Sequence, residues 1–112
     1  MPYIGALDLA TIGRVSFERS GYANGAGTTL VRVNGLTKLT VIVTQNGGAV
    51  TGTATIVYCR SGKGTVTFAT VPIAAIGTPV RVSYLPFVAT YVGVNFSGAA
   101  GATYDVSIMA SV

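Results

Sequence analysis

The chain has 112 residues; half are apolar and only 9% are charged, against about 25% in an average soluble domain. That length suits a single domain, and with no histidine, no tryptophan and one cysteine it excludes an internal disulfide framework and any His- or Cys-based metal cluster. The carboxylates number three, Asp8, Glu18 and Asp105, which leaves little material for acid–base chemistry.

From Met1 to Gly13 the chain is apolar but does not alternate, and it reads as an N-terminal arm able to lie on a neighbour. Residues 14–112 read as one β-sandwich domain. The start has neither a basic n-region nor a continuous apolar h-region, so no secretory signal is expected and the chain is expected to stay in a cytoplasm or be assembled there. Beyond Gly13, Val and Thr dominate, with Gly between the runs, which is strand and turn chemistry.

Eight strands are expected, in chain order. The first is Thr11 to Phe17, followed by a glycine-rich loop from Ser20 to Gly27. The second is Thr28 to Val33, and Asn34-Gly35 after it is a two-residue hairpin signal, since a type I′ turn needs φ > 0 at both central positions. The third runs from Leu36 to Gln45 and the fourth from Val50 to Arg60. Ser61-Gly62-Lys63-Gly64 then turns the chain into a fifth, Thr65 to Val71. Pro72 and the stretch to Pro79 break the pattern and suggest a crossing between sheets. The sixth is Val80 to Tyr84, the seventh Ala89 to Phe96, and the eighth Ala102 to Ala110. The uncharged run from Val82 to Tyr104 is long enough to span a membrane, yet its alternation, glycines and Pro86 make it two strands and a turn.

Several strands separate into two faces. Leu39, Val41 and Val43 oppose Lys38, Thr40 and Thr44; Val66 and Phe68 oppose Thr65, Thr67 and Ala69. Val92, Val94 and Phe96 oppose Tyr91, Gly93 and Asn95; Tyr104, Val106 and Ile108 oppose Asp105, Ser107 and Met109. The expected fold is all-β: an antiparallel β-sandwich of about eight strands, with jelly-roll or other Greek-key topology. The outward faces carry Thr, Ser, Ala, Gly and Tyr where Lys and Glu usually stand. Much of that surface is therefore expected to be buried against other subunits.

The short motifs have structural explanations. Ser61-Gly62-Lys63-Gly64-Thr65 has a glycine after the lysine and a strand after the loop, so it is a hairpin turn and not a phosphate loop. Gly25-Ala26-Gly27 fails the dinucleotide fingerprint in spacing and context. Cys59 beside Arg60 has no histidine to act as its base. The net charge of +4 is scattered, and basic residues do not interleave with aromatics as a nucleic-acid surface requires. No catalytic residue, cofactor, metal or small-molecule ligand is expected, and the chain does not read as an enzyme. The candidate contact residues are Tyr3, Ile4 and Leu7 on the arm, then Arg14, Arg19, Tyr22 and Arg32.

The stretch Arg81-Val82-Ser83-Tyr84-Leu85-Pro86-Phe87-Val88-Ala89-Thr90-Tyr91-Val92-Gly93-Val94-Asn95-Phe96, with the closing strand Tyr104-Asp105-Val106-Ser107-Ile108-Met109-Ala110, resembles the C-terminal hairpin of small tailed-phage virion proteins. These are capsid decoration proteins, also called cement or auxiliary proteins. The resemblance implies a non-enzymatic homo-oligomer, in that family often a trimer, that binds a major capsid protein lattice and stabilises the head, with the virion as its location. Two other readings fit the composition. One is a glycan- or receptor-binding sandwich of a phage tail or fibre, with Tyr22, Tyr58, Tyr84 and Tyr91 as stacking platforms. The other is a small β-barrel that binds single-stranded nucleic acid.

Overall fold

The computed structural model describes residues 14–33, 36–60, 64–87 and 89–112. The expected arm, with Tyr3, Ile4 and Leu7, lies outside them.

Eight strands form: β1 (Arg14–Ala23), β2 (Val31–Arg32), β3 (Lys38–Asn46), β4 (Thr53–Cys59), β5 (Val66–Pro72), β6 (Val80–Tyr84), β7 (Tyr91–Ser97) and β8 (Thr103–Ser111). They build two antiparallel four-stranded sheets, ordered β1-β8-β3-β6 and β2-β7-β4-β5. The pairs β1·β8, β2·β7, β3·β6 and β4·β5 are nested, as if one long hairpin had been rolled over itself. Of the two Greek-key possibilities this is the jelly roll.

The alternation in the sequence sets the core. Leu39, Val41 and Val43 of β3 and Tyr104, Val106 and Ile108 of β8 turn inward from one sheet. They meet Ala54 and Ile56 of β4 and Val92, Val94 and Phe96 of β7 from the other. Each large side chain removed from water in this way stabilises the fold by about 1.5–3 kcal/mol. The stretch from Ile73 to Pro79 crosses from β5 in one sheet to β6 in the other, as expected.

Three local expectations change. β1 runs on to Ala23, through residues expected to be loop, because one extra residue between Arg19 and Tyr22 forms a bulge and the ladder with β8 resumes beyond it. The strands flanking Asn34-Gly35 lie in different sheets. A turn bond from Leu36 N–H to the Val33 carbonyl, 2.9 Å, is present, but the hairpin is not, because β2 finds its partner in β7. In β5 the register shifts opposite Ile56 and Val57, leaving Phe68 without a partner of its own. Ala69 and Val71 then pair with the inward Ile56 and Ala54. Val66, expected to pack, is 55% exposed.

The segment leading into β2 lies close against β7. Thr28 N–H donates to the Val94 carbonyl, and the Thr28 hydroxyl accepts from Val94 N–H. Leu30 crosses Gly93 so closely that a Cβ there would stand 3.1 Å from its Cδ2. A glycine is what lets this cover sit down.

Candidate assembly surfaces

The buried polar groups serve the fold. Gln45 is fully buried; its Oε1 accepts from Gly52 N–H at 2.7 Å, and its Nε2 donates to the carbonyls of Gly47 and Val50. Tyr104 stacks on Phe96 with ring centroids 4.7 Å apart, and its hydroxyl donates to Asn24 Oδ1. Burial pushes the Tyr104 phenol above its ordinary pKa. These groups are satisfied inside the protein. The Tyr22 hydroxyl is buried without a partner, while its ring lies 5.5 Å from that of Phe96. Among the described residues no three His, Cys, Asp or Glu side chains come together, and no helix is long and apolar enough to cross a membrane.

The candidate contact residues do not form one patch. Arg14 and Arg19 are exposed on β1, and the Arg19 guanidinium sits 5.7 Å from the centre of the Phe17 ring. Arg32 is exposed on β2, in the other sheet. Tyr22 is half-buried. Tyr58, Tyr84 and Tyr91 are half-buried too, so none of the four offers a fully open platform for a sugar or a base.

The four edge strands are β1, β6, β2 and β5. β1, β6 and β2 each carry an arginine, whereas β5, Val-Thr-Phe-Ala-Thr-Val-Pro, has no charge at all. Two features interrupt it, Pro72 at the far end and the bulge at Phe68. Phe68, 37% exposed, meets Tyr84 and Phe87 edge-on at 4.7 and 4.9 Å. With Leu85, 71% exposed, and Val66 this makes an apolar corner where the edges of the two sheets approach.

The outer face of the β1-β8-β3-β6 sheet has a different character. Cross-strand register sets its residues in rows. One row is Arg14, Ser111 and Lys38; the next is Ser16, Met109, Thr40 and Ser83. Then come Glu18, Ser107, Ile42 and Arg81, and after them Asp105 and Thr44. Thr40 and Ser83 hydroxyls hydrogen-bond at 3.0 Å, and Asp105 Oδ1 accepts from Gly21 N–H in the β1 bulge. Sequence reasoning had Arg14 as a contact residue but did not join it with Lys38, Glu18 and Asp105 in one surface. Glu18 and Asp105 stand on neighbouring strands yet far apart in the chain, and only the β1·β8 register joins them.

No family model and no curated protein matches the chain. Among solved structures, it is similar in fold to a chain from work titled "Bacillus endospore appendages form a novel family of disulfide-linked pili". The TM-score is 0.51 at 15% identity, covering 88% of this chain and 84% of that one. At that identity the likeness speaks to the fold.

Proposed function

We propose that this chain is a structural subunit that builds an ordered assembly with copies of itself and performs no catalysis. The observation that carries this reading is the uncharged outer edge of β5 beside the apolar corner at Phe68. A free edge strand offers unpaired N–H and C=O groups to another strand, and monomeric proteins usually blunt it with charge. The fold shared with a chain from pilus-forming appendages supports the same reading by analogy.

The mode of linkage differs from the one named for those pili. A disulfide-linked polymer needs two cysteines per subunit, since one can join no more than two chains. This chain has a single cysteine, Cys59, and it is 3% exposed. Assembly here therefore rests on non-covalent contacts, whose strength grows with repetition.

The finer reading is a decoration protein on the head of a tailed phage, with the capsid lattice as the second partner. It rests on the resemblance carried by Arg81 to Phe96 and Tyr104 to Ala110. Light scattering on the purified protein tests assembly, and Val66→Lys on the β5 edge is expected to reduce it. A wild-type monomer at high concentration would refute the assembly reading. Co-sedimentation with decoration-free capsids tests the finer one, and protein left in the supernatant counts against it.

A further inference from the structure

We propose that the outer face of the β1-β8-β3-β6 sheet docks onto the same face of a second copy, about a two-fold axis lying in the face and crossing the strands. This deepens the assembly reading and rests on it, naming one interface and its occupant.

Two cations and both described carboxylates of this face are sorted along the strands; a third cation, Arg81, stands apart on β6, at the opposite end of the Glu18 row. Arg14 and Lys38 occupy one row. Glu18 lies two rows on and Asp105 three, about 14 and 20 Å away at roughly 6.8 Å per row. These two are the described carboxylates of the chain. A two-fold axis across the strands exchanges the ends, so the basic row of each copy meets the acidic rows of the other, twice over. That is the self-complementarity an isologous dimer requires. An in-register stack of parallel copies would instead set like charges together.

The middle of the face suits a desolvated centre. Ile42 and Met109 are half-buried, Thr40 is buried, and Ser107 is small. Charge stands only at their flanks, with Glu18 on β1 beside Ser107 and Arg81 on β6 beside Ile42. Four strands at about 4.8 Å and four rows at about 6.8 Å give a footprint of about 500 Å² per copy, or about 1,000 Å² per pair. That is the lower bound for a specific interface, so the pair is expected to be weak alone and sensitive to salt. An acidic partner of another kind would match Arg14 and Lys38 but be repelled by Glu18 and Asp105. The second copy satisfies both ends.

Sedimentation equilibrium tests this with two variants, each checked for folding by circular dichroism. One is Arg14→Glu with Lys38→Glu; the other is Glu18→Lys with Asp105→Lys. Glu18→Lys alone substitutes for the second if loss of the Asp105 bond to Gly21 unfolds it. Each variant alone is expected to dimerise at least tenfold more weakly than the wild type, and an equimolar mixture to form a heterodimer. Unchanged dissociation constants in both variants overturn this interface while leaving the assembly reading standing. A wild type that never associates overturns both. A wild type that ignores itself but binds an acidic polypeptide overturns the second copy as occupant.

Discussion

The side-chain oxygen of Gln45 accepts the backbone N–H of Gly52 at 2.7 Å, and the same side chain's nitrogen reaches the carbonyls of Gly47 and Val50. One buried amide thus supplies the hydrogen bonds that the β3–β4 connection lacks in itself. Gln45→Leu keeps the bulk and strands three backbone groups, at a cost of about 2–4 kcal/mol. Urea denaturation measures it, and a loss below about 0.5 kcal/mol would show that the loop finds other partners.

Gly52 is confined from its other side. A Cβ there would lie 2.6 Å from the Tyr104 hydroxyl and 2.7 Å from the Ser97 carbonyl. The carbonyl belongs to the backbone and cannot easily give way. Gly52→Ala is expected to destabilise by about 1–3 kcal/mol through overpacking. Gly101→Ala has open space but a left-handed backbone, so its cost comes from strain alone. Thermal melts of the pair separate the two effects.

The Tyr104 phenol predicts an alkaline limit. Burial raises its folded pKa above the ordinary value of 10.0, so as pH climbs past that point the unfolded chain gives up its proton first. The unfolded state then holds fewer protons, and stability falls with rising pH. Below that value the contribution is fully present. Tyr104→Phe should lose about 1 kcal/mol at neutral pH, from the bond to Asn24, and show a flatter decline above pH 10. Equal slopes in the two proteins would assign the alkaline loss to other groups.

Phe96 and Phe68 should behave differently although both sit in aromatic clusters. Phe96 is 1% exposed between Tyr22 and Tyr104, and Phe96→Ala is expected to cost about 3–5 kcal/mol. Phe68 lies on a free edge and keeps more than a third of its surface in water. Phe68→Ala should cost less than half as much and weaken self-association more. Denaturation and light scattering on both variants give the comparison, and the reverse ranking would remove Phe68 from the assembly surface.

Cys59 should be silent in the folded protein. At 3% exposure its thiol is expected to react with Ellman's reagent only after unfolding. Assembly should be the same with and without reductant, and Cys59→Ala should assemble like the wild type. Dissociation by reductant would restore a covalent link.

Legibility in the sequence tracks physical range. β6 was legible to the residue, and the inward faces of β3, β7 and β8 come from strict alternation. The sheet to which each strand belongs was not legible. Asn34-Gly35 encodes a turn, and nothing local says that β2 and β3 on its flanks will pair elsewhere. The bulges of β1 and β5 each hang on one unpaired residue, so Phe68 kept its alternating pattern while its surroundings changed. The shortage of charge announced an interface, but the sorting of Arg14 and Lys38 away from Glu18 and Asp105 exists only once β1, β8 and β3 lie side by side.

The nesting of the strand pairs also sets an order of events. β4 and β5 are joined by a few residues and can close early at small entropic cost. Each outer pair then closes a longer loop, shortened by the pairs already formed inside it. β1 meets β8 last, from almost the full length of the domain, and such non-local pairing makes for slow folding. β1 is also an edge strand, bonded in its sheet to β8 alone, so it can peel away without breaking any other ladder. When it does, the edge of β8 stands open, and the β1 of a second copy could take its place. The ladder that completes the fold is thus where two molecules could exchange strands.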